Sequence, residues 1–174
     1  MKIHPLDANS AGDFRPQLTD LLLDAFAHGA SMGFTSAPAA PELDRYWRGV
    51  QAGVRDGSRM LLAASHEGRL LGTVQLELYQ RPNGCDGAEL QKMMVHSRAR
   101  RRGIGSVLLR AAEAETRALG RTLLFLDTES GSGAEHLYYG LGYTRVAEVA
   151  QPAGGPTAGR TAVYYKSLLM PVLA

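Results

Sequence analysis

The 174-residue sequence predicts an α/β domain, with one mixed sheet of about seven strands flanked by about four helices. Three observations carry that expectation. Two early segments place apolar residues at helical spacing; a middle stretch breaks into short apolar runs separated by turn residues; and the second half alternates strand, helix, strand, helix before two closing strands. The length suits one well-buried core, so residues 1–174 are expected to form a single domain, with no internal repeat or linker.

In chain order, Lys2, Ile3, His4 and Pro5 read as a short first strand. Residues 13–28 carry Leu18, Leu21, Leu22 and Phe26 on one helical face, and two glycines within residues 28–34 end the pattern. A second helix is expected over residues 42–56, flanked by Pro38 and Pro41, with Trp47 and Val50 toward the core. Residues 60–65 and 70–80 read as strands joined by the turn at residues 66–69. A second tight turn is signalled by Pro82, Asn83 and Gly84 because Asn-Gly tolerates positive φ, and residues 89–96 form the next strand.

Residues 103–119 set Ile104, Val107, Leu108, Ala111 and Ala114 on one helix face, with Gly120 as the stop. The uniformly apolar run from Leu123 to Leu126 suits a buried strand, with Asp127 at its C-terminal end. Ser132 and Glu135 match a capping box, which starts a helix reaching about Gly140. Residues 146–149 and 161–168 close the sheet, joined by a Pro-, Gly- and Ala-rich loop at residues 151–159 that is expected to be mobile.

Composition narrows the function. Apolar residues make up 45% and charged residues 21%, in short runs, so no membrane partner is expected. The first ten residues lack the apolar stretch of a secretory signal, which makes a cytoplasmic location the default expectation. Cys85 is the single cysteine, and His4, His28, His66 and His136 lack ligand spacing, so no metal is expected. A net charge of +2 does not point to nucleic acid. Local charge is more telling: Arg98, Arg100, Arg101 and Arg102 fall within five positions.

Those arginines sit where a strand turns into a helix through Gly103 and Gly105. Such a junction offers unpaired amides at the positive end of a helix dipole, which favours a phosphate. A Walker loop would need Gly-Lys-Ser/Thr, which is absent. A dinucleotide fingerprint would need a third small residue where Leu108 stands, although Asp127 is at a tolerable distance for a ribose contact. The pattern Arg100-x-x-Gly103-x-Gly105 after a strand resembles the pyrophosphate-binding signature of the GNAT acetyltransferases. The segment Ala134-x-x-x-Tyr138-x-x-x-Gly142-Tyr143 resembles that family's later motif.

The resemblance extends over about residues 20–168 and is strongest after Pro82; many family members have Pro and Gly where this chain has Ser97 and Arg101. It implies the GNAT fold, acetyl-CoA as cosubstrate, and transfer of an acetyl group to an amine. It also implies a coenzyme site of Met93, Met94, Val95, Arg100, Arg101, Arg102, Gly103, Ile104, Gly105 and Ser106. The residues around Gly29–Phe34, Glu89–Val95, Leu126–Glu129 and Tyr143–Val146 resemble a small-molecule enzyme of the family that acetylates a β-lactam amino-acid toxin. A small-molecule amine is therefore the expected partner, and the chain a monomer or homodimer.

Amine acetylation needs a base for the ammonium proton and an acid for the departing thiolate. Glu89 and Asp127 are the candidate bases and Tyr138 the candidate acid, Tyr138 by resemblance. Each has a competing reading: Glu89 as a solvated carboxylate or partner of Lys92, Asp127 as a turn residue, Tyr138 as a core aromatic. His96 is expected to serve packing or the surface. Two rival functions stand beside the small-molecule enzyme: a peptide or protein N-acetyltransferase, and a non-catalytic module using the arginine run as a phosphate patch.

Overall fold

The computed structural model describes residues 1–30, 32–34, 36–79, 87–150 and 159–169. The expected turn at Pro82–Gly84, Cys85, and residues 151–158 of the expected loop lie outside them. Strand β1 (Lys2–Leu6) is followed by α1 (Ala8–Asp13), which the apolar spacing did not announce. Asp7 starts it by accepting the Ser10 amide at 2.7 Å. Helix α2 (Arg15–Ala27) begins anew because Pro16, tolerated in a first turn, would interrupt a continuous helix. The expected four helices are therefore five, with α3 (Ala40–Asp56), α4 (Ile104–Ala118) and α5 (Gly133–Gly140).

Helix α3 has Pro41 in its first turn, buries Leu43, Trp47 and Val50, and stops at left-handed Gly57. Strands β2 (Arg59–His66) and β3 (Arg69–Leu78) form the expected hairpin, with Glu67 and Gly68 both at positive φ in its turn. Strand β4 (Gly87–Val95) follows. The sheet is completed by β5 (Leu123–Glu129), β6 (Thr144–Ala150) and β7 (Arg160–Ser167), in the order β1-β2-β3-β4-β5-β7-β6. Only β4 and β5 pair in parallel among these strands. No described helix is long and apolar enough to cross a membrane.

Two apolar layers sandwich the sheet. On one face, Leu62, Val74, Leu76, Leu90 and Leu124 pack with Ile104, Leu108 and Leu109 of α4 and Tyr138 of α5. On the other, Leu61, Ala63 and Met94 pack with Leu18 and Leu22 of α2 and Trp47 of α3. Among the described residues, the second layer draws on β1 to β4 and on no strand beyond them.

Two local expectations change. The buried stripe of α4 is Ile104, Leu108, Leu109, Ala112, Glu113 and Thr116, while Val107 is 40% exposed and Ala114 is exposed. Glu113 can turn inward because Lys166 of β7 meets it at 2.7 Å. At α5, Ser132 makes no capping bond; Glu135 reaches back instead to the Gly131 amide and accepts the Tyr164 hydroxyl.

Candidate active site

The strand-to-helix junction is built from backbone. After β4 comes a one-turn 3₁₀ helix, Ser97–Ala99, then Arg101 at φ +62° and Gly103 at φ +75°. Alternating left-handed residues turn successive N–H groups to one side, the arrangement that makes an anion-binding concavity. Gly103 caps α4 with no side-chain bond, and Val107 is the first amide of the helix to find a carbonyl, that of Gly103. The amides of residues 101–106 thus donate to no described acceptor. A Cβ on Gly103 would meet nothing within 4 Å, so the space above it is open, whereas one on Gly105 would lie 3.1 Å from Leu137 Cδ2 of α5. Arg101 takes the left-handed conformation where many family members have glycine, and Arg100 Nε donates to the Val95 carbonyl at 3.1 Å.

Beside this loop the sheet opens. Strands β4 and β5 pair only from Gly87↔Leu123 to Glu89↔Phe125, yet β4 runs on to Val95 and β5 to Glu129. Beyond Glu89 the β4 edge has no β5 partner, normally a liability, and here lines a cleft of about 980 Å³. Orphan amides of this kind suit a pyrophosphate, and the opening suits an extended arm such as pantetheine.

Most of the predicted site residues meet on this cleft. Met93, Met94 and Val95 line it from β4; Arg100, Arg101, Gly103, Ile104, Gly105 and Ser106 line it from the junction. Arg102 is exposed and is not among the lining residues. Glu89, Asp127 and Tyr138 also line it.

Their surroundings differ. Glu89 is half-buried and accepts a hydrogen bond from Tyr79, whose ring stacks on Phe125 at 5.4 Å; this tyrosine, rather than Lys92, is its partner. Asp127 is exposed and lies inside β5, opposite Val163 of β7, so it is neither a cap nor a turn residue. The sequence puts Asp127 at the C-terminal end of this strand because apolar character stops at Leu126, while the β7 ladder continues to Glu129. Tyr138 is 5% exposed, with the Tyr143 and Tyr164 rings each 5.8 Å away, so it is both a core aromatic and a cleft residue. Burial first, then the Asp127 charge, hold its phenol above the ordinary range. Glu89, Phe125 and Asp127 alternate away from Leu90, Leu124 and Leu126, and so stand on the sheet face opposite Tyr138.

Two residues carry more than the sequence suggested. Lys92 lines the cleft at φ +46°, at the bulge where the β3–β4 register shifts. Asp24, near the end of α2, accepts both the amide and the hydroxyl of Ser97, at 2.7 and 2.6 Å, and lies within 3.6 Å of His96 and His28. It ties the helix that leads to the residue 29–34 loop to the entry of the junction. His96 also meets Asp20 at 3.5 Å and is absent from the cleft lining.

Comparisons with known proteins agree with this geometry. Residues 16–143 match the model of the acetyltransferase (GNAT) family. An uncharacterized N-acetyltransferase from the hisH-hisA intergenic region of Azospirillum brasilense is 32% identical over 127 residues, covering 72% of this chain and 73% of the relative. The crystal structure of ribosomal-protein-alanine N-acetyltransferase from Brucella melitensis superposes with a TM-score of 0.79 at 20% identity, over 96% of this chain and 99% of that one. An aminoglycoside 6'-N-acetyltransferase complexed with coenzyme A does so with a TM-score of 0.76 at 18% identity, over 98% of each chain. Sequence match, sheet order and opened strand pair converge: the chain belongs to the acetyltransferase (GNAT) family and is an N-acetyltransferase.

Proposed function

We propose that the enzyme transfers the acetyl group of acetyl-CoA to the amino group of a small molecule, in the cytoplasm, with Glu89 and Asp127 on the acceptor side and Tyr138 on the thiol side. The observation that carries this is geometric: Glu89, Asp127 and Tyr138 all line the one cleft that opens where β4 and β5 stop pairing. Base and acid candidates thus flank one space.

Acetyl-CoA is the cosubstrate and brings the acetyl thioester; the rest is the work of the chain's residues. Amides of residues 101–106 hold the pyrophosphate, and N–H groups along the free β4 edge near Met94 are placed to stabilise negative charge on the thioester oxygen. A free alkylamine has a pKa of roughly 10, so at neutral pH it must lose a proton, directly or through water, to Glu89 or Asp127. The Tyr79 hydrogen bond fixes Glu89 Oε2 and leaves the other carboxylate oxygen for that task. Tyr138, kept protonated by burial, gives its proton to the departing sulfur, which is also more basic in a desolvated site.

The finer reading is an amino-acid-like acceptor or a β-lactam toxin, supported by segments that resemble the tabtoxin-resistance acetyltransferase. Screening free amino acids, amino-acid β-lactams, polyamines and short peptides for acetyl-CoA consumption tests it. Turnover with free amines supports the proposal. Turnover with peptides alone would make this a peptide N-acetyltransferase, and acetyl-CoA binding without any turnover would make it a non-catalytic module.

A further inference from the structure

Lys92 has no part in the chemistry above, yet the fold spends conformational energy on it. A non-glycine residue in the left-handed region is disfavoured because its Cβ crowds the neighbouring carbonyl. The bulge that imposes this also resets the strand: Leu90 faces the α4 layer before it, whereas Met93 packs on that layer after it and Met94 on the opposite one. An extra residue of this kind re-aims a side chain. The Lys92 side chain is half-buried, and its Nζ lies 2.9 Å from where a Cβ of Gly33 would be, so the loop after α2 leaves room for the ammonium by having no side chain there.

Despite that burial, Lys92 makes no hydrogen bond or ion pair with any described residue. Desolvation, partly offset by Asp127 and Glu89, lowers its pKa, so both carboxylates are near without being partners. Arg59, the neighbouring cation, is committed to Gln75 at 2.6 Å and Glu77 at 3.3 Å. A desolvated ammonium without a hydrogen-bonded counter-ion is costly unless a ligand supplies one.

We propose that Lys92 is a specificity-determining residue that receives the carboxylate of the acceptor, so that the acceptor class is amines carrying a carboxylate. This rests on the small-molecule reading above. The acceptor face is then charge-matched to an amino acid: Glu89 and Asp127 meet its amine, and Lys92 meets its acid group. Charge-assisted hydrogen bonds of this kind change affinity by roughly tenfold to a hundredfold.

The test uses the full-length enzyme and three matched acceptors: lysine, lysine methyl ester and cadaverine. The wild type should acetylate lysine with a kcat/KM roughly ten to a hundred times that of the ester or cadaverine, mostly through KM. In Lys92→Met the ratio of acid to ester should fall to near one, and Lys92→Arg should restore part of it. Lys92→Gly removes the ammonium while relieving the left-handed backbone, so it tests the same loss in a variant whose fold is not at risk. Equal use of acid and ester by the wild type, an unchanged ratio in both Lys92→Met and Lys92→Gly, or acetylation of Lys92 itself by acetyl-CoA alone would overturn this assignment and leave the small-molecule reading standing. Acetylation of peptides and of no free amine would overturn both.

Discussion

The two walls of the cleft are made of different materials. The wall formed by residues 101–106 is backbone: orphan amides, two left-handed residues and a helix start with no side-chain cap. The wall proposed to meet the acceptor is side chain: Glu89 held by Tyr79, Asp127 on β5, and Lys92 on a bulge. A backbone site tolerates residue changes that keep its φ angles, which is why Arg101 can stand where many relatives have glycine. A side-chain site has no such tolerance, and its losses appear in rate rather than in coenzyme affinity.

The sharpest test of that contrast is the pair Glu89→Gln and Asp127→Asn. Loss of a general base costs 10²- to 10⁴-fold in rate, roughly 3–5 kcal/mol of barrier. Turnover should fall by that order for the variant that removes the working base, while acetyl-CoA affinity measured by calorimetry stays nearly constant. Part of the loss should return as pH rises toward the pKa of the acceptor amine, because more of it is then neutral. Full activity of both variants at neutral pH would move the base to a water chain or a backbone carbonyl. A loss in only one would return the other carboxylate to a structural role.

Tyr138→Phe should have the next largest effect, about 10- to 100-fold in kcat, toward the low end for a proton-transfer residue. Its hydroxyl donates to no described residue, so the fold should keep its melting temperature within a few degrees. Raising the pH should not rescue this variant, since alkali supplies no proton to a thiolate. Recovery parallel to that of the carboxylate variants would place Tyr138 among the packing residues alone.

The backbone wall can be probed with a matched pair at the two ends of α4. Gly103 and Gly120 have φ of +75° and +72°, and a Cβ on either meets nothing within 4 Å. Valine at either position should strain the backbone by a similar amount, on the order of 1–3 kcal/mol. Only Gly103→Val should also weaken acetyl-CoA, by about tenfold, because only there does the open space adjoin the orphan amides. NAD should bind far more weakly than acetyl-CoA to the wild type. Equal losses of acetyl-CoA affinity in both valine variants would remove the junction from the coenzyme site.

The same division decides what could be read from sequence. Gly103 and Gly105 were legible because a need for positive φ or close approach leaves a glycine in the chain, and their order with Arg100 and Tyr138 identified the family. Asp127 was legible at the end of its strand, but the continuation of β5 to Glu129 was not, because the apolar run ends before the β7 pairing does. Nothing local marks Lys92 as left-handed: the bulge arises from its register against β3. The burial of Glu113 leaves no local mark in α4, since its partner Lys166 lies on a strand more than fifty residues on. Helix α1 was missed because its signal is the cap at Asp7 rather than an apolar stripe.

Asp24 ties α2 to Ser97 at the start of the junction, and its loss should give the smallest effect. Its carboxylate exposes 12% and takes both hydrogen bonds of Ser97, with His96 and His28 on either side and Asp20 beyond His96. Burial alone would raise its pKa, but the Ser97 bonds and the histidine charges outweigh it and the net shift is downward. A carboxyl depressed in the folded state stabilises above its unfolded pKa of roughly 4, and that contribution is lost as pH falls through the folded value. Asp24→Asn keeps one acceptor oxygen for Ser97 and loses the charge, so it should cost about 1–2 kcal/mol at pH 7. The difference from wild type in urea midpoints should shrink as pH falls below the unfolded pKa of roughly 4 and through the lower folded value. Because the bond joins α2 to the start of the junction, the variant should also raise the KM for acetyl-CoA by a few-fold while the ratio of acid to ester acceptors stays at its wild-type value. A stability gap independent of pH would mean that Asn makes the same contacts and that the Asp24 charge contributes nothing.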